Sequence, residues 1–284
     1  MTALRLATGG PFAVEPAMAA LAAHAVPGVE QVDRDARTVT RLLRLPGGST
    51  RVTARLTAEH VELTADFDGG EHEAVAITRR WLDLDADVER VDAVLAADPT
   101  LRPLVRARPG LRIVGYADGF EAALSTVLGQ QVSLAAARTF TSRLLAAYGT
   151  PRSCGLVEFP APDALAGVAV DELRAAVGIT GARARTLHAL AEAFAGGLAL
   201  HPDGDVERQR RALLALPGVG PWTVDYLALR AFGDRDACPA GDLVLRRALG
   251  AATAAEARER AHAWSPYRSY GVFHLWTRSA YLAR

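Results

Sequence analysis

The sequence predicts a mostly helical protein with a small N-terminal α+β domain, on three observations. Partial alternation of apolar and polar residues, the period of a strand, is confined to residues 38–66. From Glu71 onward the apolar spacing is instead that of helices. The 284 residues, 50% of them hydrophobic, suffice for two domains with buried cores.

Taken in order, a helix over 16–25 precedes the segments TVTRLLRLP, STRVTARLT and HVELTAD. The turn at Pro46, Gly47 and Gly48 and a polar step near Glu59 divide these into an antiparallel meander. Helices follow over 71–81, 87–97, 118–128, 134–148, 162–166, 171–177, 182–195, 206–215, 221–232, 243–249, 254–264 and 269–282, punctuated by Gly, Pro, Asp and Ser. No segment after the meander reads as a strand. The N-terminal domain is placed at 1–84 and the helical domain at 85–284.

Composition excludes several chemistries. Cys154 and Cys238 are the only cysteines, too few for a disulfide framework, a four-cysteine zinc site or a four-cysteine iron–sulfur cluster. All 32 Lys+Arg residues are Arg, so a lysine Schiff base is impossible. No apolar run reaches the roughly 20 residues of a spanning helix, and the first residues lack a signal-peptide pattern, so a cytoplasmic protein is expected. Residues 1–100 hold 10 Arg against 16 Asp and Glu (−6), and residues 101–284 hold 22 against 16 (+6). The basic part suits a polyanion. None of the seven histidines has ligand spacing, and His274 is expected to be packed.

The informative stretch is 213–249, LLALPGVGPWTVDYLALRAFGDRDACPAGDLVLRRAL. A helix ending near Leu216 meets Pro217, Gly218, Val219 and Gly220, and another starts at Pro221, whose missing N–H costs nothing in a first turn. The two glycines permit a tight turn and aim the amides of Gly218 and Gly220, with the Thr223 hydroxyl beside them, at a phosphate-sized anion. Asp242 stands where an N-cap would, and the helix dipole stabilises negative charge there. Trp222 and Tyr226, four apart, share a helix face. Singly, an αα-hairpin, a cap and core aromatics would account for these features.

Together they carry a resemblance. LPGVGPW resembles the helix-hairpin-helix of DNA base-excision glycosylases, and PAGD at 239–242 resembles their catalytic aspartate loop. DGFEAALSTVLGQQVSLAAA at 118–137 and WSPYRSYGVFHLW at 264–276 are similar to the inducible bacterial 3-methyladenine DNA glycosylases of alkylation repair. The N-terminal α+β unit fits the TATA-binding-protein-like domain of that type.

The resemblance implies a helical domain of two subdomains with a cleft between them, and a role for each motif. Asp242 becomes the carboxylate that stabilises positive charge on the sugar. Trp222, Tyr226 and Trp276 line a pocket whose electron-rich faces attract a cationic alkylated purine. Gln131 fills the gap left by the flipped base, where the related alkylation enzyme has an apolar residue. Gly218, Gly220 and Thr223 contact the DNA backbone. Main-chain carbonyls of Leu214, Leu216 and Val219 can hold a monovalent cation, and no other cofactor is required. Arg183, Arg185, Arg246 and Arg247 are weaker candidates for phosphate contacts. Strand-cutting members carry a lysine two residues after the hairpin's last glycine, where this chain has Trp222. The expected protein is thus a monomeric, monofunctional glycosylase that flips alkylated bases of the 3-methyladenine and 7-methylguanine type from duplex DNA and leaves an abasic site. The alternative is a non-catalytic damage-sensing module of a larger alkylation-response protein, which would have no need of the carboxylate.

Overall fold

A computed structural model describes residues 2–67 and 69–282. Its N-terminal part is an antiparallel five-stranded sheet built from β1 (Thr2–Ala7), β2 (Glu30–Asp33), β3 (Thr38–Leu45), β4 (Gly48–Leu56) and β5 (His60–Ala65), in the order β1-β5-β4-β3-β2. The meander β3–β5 is the one predicted. Val61, Leu63 and Ala65 of β5 are buried while His60, Glu62 and Thr64 are half-exposed, the alternation of a sheet with one covered face. Helices α1 (Val14–His24) and α2 (Glu71–Trp81) pack against the strands. The outer strands β1 and β2 were not predicted: one is largely exposed, and the other, Glu-Gln-Val-Asp, alternates between exposed and half-buried.

The rest is helical, with α3 (Val88–Leu95), α4 (Arg102–Ala107), α5 (Gly119–Leu128), α6 (Leu134–Tyr148), α7 (Pro162–Ala166), α8 (Val170–Val177), α9 (Gly181–Ala195), α10 (Val206–Leu214), α11 (Pro221–Leu227), α12 (Leu243–Leu249), α13 (Ala254–Arg260) and α14 (Arg268–Trp276). Helix starts follow the capping residues: Asp87, Asp118, Ser133, Thr180, Asp205, Asp242 and Thr253 each accept a backbone N–H from the first turn. Two predicted helices change character near their ends, α11 and α14 continuing as π-helical turns at Ala228–Phe232 and Thr277–Tyr281. Helix α4 was not predicted.

The expectation of no strand after the meander is also corrected. β6 (Thr150–Pro151) and β7 (Val157–Glu158) form a hairpin too short to show any period. Its contacts explain it. The Val157 N–H donates to the Gly28 carbonyl at 2.7 Å and Ser49 Oγ donates to Glu158 at 2.5 Å, so the hairpin fastens the helical part to the sheet.

These packings place the site. Helix α5 packs on α9 and α11, α14 on α12, and α1 on the π-turn after α14. A cleft of about 990 Å³ lies between the α5 and α11 side and the α12 and α14 side, with the sheet domain beneath it. Among the described residues no helix is long and apolar enough to cross a membrane.

Candidate active site

The hairpin runs from the end of α10 at Leu214 to the start of α11 at Pro221. Gly218 sits at φ +76°, and a Cβ on it would fall onto Thr186 Oγ1, so glycine is required there. Gly220 differs: its φ is −104°, and an added Cβ would meet nothing within 4 Å. The expectation that both glycines shape the turn is therefore corrected, because the second leaves open surface instead. Among the described residues neither the Gly218 nor the Gly220 amide has an acceptor, whereas the Val219 N–H donates to the Leu216 carbonyl at 3.2 Å.

Thr223 does not face outward. It is 2% exposed, and its Oγ1 accepts from Gln130 Nε2 at 2.9 Å, which corrects its assignment as a phosphate contact. Gln130 also donates to the Gly218 carbonyl at 3.2 Å, and the Gln130 carbonyl accepts from Arg183 at 2.6 Å. Arg183, stacked over Phe140, thus has one guanidinium nitrogen engaged by the loop. This bracing leaves the next residue, Gln131, exposed at φ +54° on the edge of the cleft. A non-glycine residue in the left-handed region is uncommon.

Asp242 caps α12. Its Oδ1 accepts from the Leu245 N–H at 2.8 Å and from Trp276 Nε1 at 3.0 Å, and among the described residues Oδ2 has no partner. The three expected aromatics form one run. Trp222 stacks on Tyr226 with ring centres 5.4 Å apart and 29° between planes, and Tyr226 meets Trp276 at 5.6 Å and 44°. Asp242, the aromatic run, Gln131, Gly218 and Gly220 all line the same cleft.

The cleft floor escaped the sequence reading. Arg41 of β3 is 3% exposed and pairs with Glu30 and with Glu121 of α5, each at 2.5 Å, while its guanidinium lies over Trp81. Burial outweighs the attraction of Arg41, raising Glu30 and pushing Glu121 up to about 7. Arg230, also 3% exposed, donates to the Tyr226 hydroxyl at 3.2 Å and lies 3.3 Å from His24 Nε2. Burial, and then Arg230, hold His24 well below the ordinary histidine range. The available signal was a charge on an otherwise apolar face: Arg41 within VTRLL, and Arg230 four residues beyond Tyr226. His274 is packed as expected, fully buried with neither ring nitrogen partnered among the described residues, and burial pushes it down to about 3.

The comparisons agree with this architecture. Residues 3–118 match the AlkA N-terminal domain, and residues 124–265 match the HhH-GPD superfamily base excision DNA repair protein. A protein of Mycobacterium tuberculosis (strain H37Rv), named "Probable bifunctional transcriptional activator/DNA repair enzyme AlkA", is 44% identical over 96% of this chain and 56% of its own length. The chain thus spans about half the length of that relative. "DNA-3-methyladenine glycosylase 2" of Escherichia coli K12 is 35% identical over 76% of each chain. The solved "3-methyladenine dna-glycosylase from Archaeoglobus fulgidus" shares the fold, with a TM-score of 0.83 over 97% of this chain and 98% of its own at 22% identity. The chain belongs to the HhH-GPD superfamily of base excision DNA repair proteins, with an AlkA-type N-terminal domain.

Proposed function

We propose that the chain is a monofunctional DNA glycosylase that hydrolyses the N-glycosidic bond of alkylated bases flipped out of duplex DNA, leaving an abasic site. The observation that carries this reading is the Asp242 carboxylate. Two donors fix its Oδ1, so Oδ2 stays free in a cleft walled by three aromatic rings. As the C1′–N bond breaks, its electron pair leaves with the base and positive charge builds on the sugar, where an anion in a fixed position stabilises it. Water then adds to C1′ and releases a proton to solvent. An alkylated purine such as 3-methyladenine or 7-methylguanine is already cationic, so it leaves as a neutral molecule without an acid. Its charge is also what the faces of Trp222, Tyr226 and Trp276 attract.

The remaining parts grip DNA. The free amides of Gly218 and Gly220 suit a phosphate, and the exposed Gln131 suits the gap in the stack. With no lysine in the chain and Trp222 after the hairpin, a Schiff base to the abasic sugar is unavailable, so the strand stays uncut. The carbonyls of Leu214 and Leu216 lie at the electronegative C-terminal end of α10 and that of Val219 in the turn before α11, a set that fits a monovalent cation. Such an ion would brace the hairpin and take no part in the chemistry. The enzyme would work as a cytoplasmic monomer. Incubation with methylated duplex DNA tests the reading: free alkylated bases and abasic sites are expected, without strand breaks. DNA binding with no base release would favour a damage-sensing module instead.

A further inference from the structure

Arg230 lies on the π-helical turn Ala228–Phe232 that continues α11, and it lines the floor of the cleft that holds Asp242 and the aromatic run. π-turns inside helices are rare and gather at functional sites. The surroundings are odd for a buried cation. Arg41, the other buried arginine of the floor, has two carboxylates at 2.5 Å, whereas among the described residues no carboxylate lies within 4.0 Å of Arg230. Its guanidinium instead lies over the rings of Tyr116 and Tyr226, at 5.1 and 5.8 Å. Nη1 donates to the Tyr226 hydroxyl and lies 3.3 Å from His24 Nε2, and among the described residues Nε is buried without any acceptor. A buried guanidinium without a carboxylate is costly, and an acceptor in the cleft that Arg230 lines would offset part of that cost. Tyr226 links the two parts of the pocket, its ring stacked on Trp222 and its hydroxyl anchoring Arg230.

We propose that Arg230 determines base specificity by donating a hydrogen bond to a carbonyl oxygen of the flipped base, which favours oxo-purines over amino-purines. This rests on the glycosylase reading above. The aromatic faces and Asp242 attract any cationic base, but they do not distinguish one purine edge from another. A guanidinium does. O6 of 7-methylguanine or hypoxanthine accepts an N–H, whereas the 6-amino group of 3-methyladenine is itself a donor and gains nothing.

The test compares wild type, Arg230→Met and Arg230→Lys by the release of 7-methylguanine and 3-methyladenine from one methylated duplex. Because both bases are read in one sample, loss of folded protein cancels from the ratio. In Arg230→Met the ratio of 7-methylguanine to 3-methyladenine should fall about tenfold or more, the usual weight of a charge-assisted hydrogen bond, and Arg230→Lys should restore part of it. A second measurement needs only wild type: acceleration over uncatalysed depurination for hypoxanthine and for unsubstituted purine, which lacks the oxygen. A larger acceleration for hypoxanthine, by a similar factor, supports the proposal. Parallel loss of both bases in Arg230→Met, or equal accelerations in wild type, overturns it and leaves the glycosylase reading intact. Failure of wild type to release any base overturns both.

Discussion

Replacing Asp242 by Asn removes one charge and little else. Oδ1 already takes the hydrogen bonds from the Leu245 N–H at 2.8 Å and from Trp276 Nε1 at 3.0 Å. An amide oxygen in the same place accepts both, and Asn caps helices about as well as Asp. What disappears is the attraction between Oδ2 and the charge that develops on the sugar. For unit charges about 4 Å apart in an effective dielectric of about 20, that attraction is about 4 kcal/mol. Since each ~1.4 kcal/mol is a factor of ten in rate, the ceiling is about a thousandfold. Only part of the charge has developed at the transition state, so a loss of at least about a hundredfold is expected. The assay is single-turnover release of 7-methylguanine from methylated duplex DNA, beside the Kd for undamaged duplex and Tm, both of which should hold steady. Asp242→Ala serves as the contrast, because it also loses the cap and should lower stability by about 1 kcal/mol. Asn activity within tenfold of wild type, or a loss of activity that merely tracks a fall in Tm, would refute the electrostatic role.

The two hairpin glycines should separate. Gly220→Ala should fold normally and bind all duplexes more weakly with a shallower salt dependence, while Gly218→Ala, forced onto Thr186 at φ +76°, should lower Tm; the reverse pattern sinks the phosphate assignment, and Tm in potassium against tetramethylammonium chloride reads the carbonyl site. Gln131→Ala should slow excision most for a well-paired lesion and least opposite a mismatch, where extrusion is already cheap, and equal losses on both would remove it as the wedge. His274 stays neutral in the fold because burial pushes it down to about 3 from 6.5, while the unfolded chain protonates near 6.5. Its contribution is therefore present above about pH 6.5 and lost as pH falls toward 3, by up to about 1.4 kcal/mol per pH unit. His274→Leu should flatten that acid limb in a series of Tm measurements, and an unchanged limb would contradict the assignment.

Helix positions were legible wherever a cap and an apolar stripe coincided. Asp118 before α5, Ser133 before α6 and Asp242 before α12 each mark a start that the backbone hydrogen bonds reproduce. Sequence pattern does not resolve a change of helix type, because an α-helix and the π-turn that continues it present nearly the same apolar stripe. The ends of α11 and α14 were therefore expected as plain helix. The strands β6 and β7 are two residues long and β2 is four; they pair with near neighbours in sequence, Thr150 with Glu158 and Asp33 with Thr38, and only the tie from Val157 to Gly28 is distant. Period alone carries no information at that length.

At the site the limit was different: residue type is local, but its orientation is not. Asp242 and the three aromatics were assigned through motifs, and the fold brings them into one cleft. For Arg41 and Arg230 the sequence offers only a charge on an apolar face, because the groups that cover them are distant in sequence: Glu121 for Arg41, and Tyr116 and His24 for Arg230. The pair Gln130 and Gln131 shows the limit most sharply. Two identical side chains stand side by side, and nothing in their neighbours in sequence distinguishes them. The distinction comes from Thr223, Gly218 and Arg183, which lie between 53 and 93 residues away and take up the side-chain Nε2 and the main-chain carbonyl of Gln130. The same contacts make the hairpin and the loop at 129–131 a single braced unit: Gln130 spans from the Gly218 carbonyl to the Thr223 hydroxyl, while Asp242 and Trp276 belong to the opposite wall. A DNA phosphate bound at Gly218 and Gly220, as proposed above, would therefore set the position of Gln131 directly, whereas the geometry of the carboxylate depends on how α12 and α14 pack.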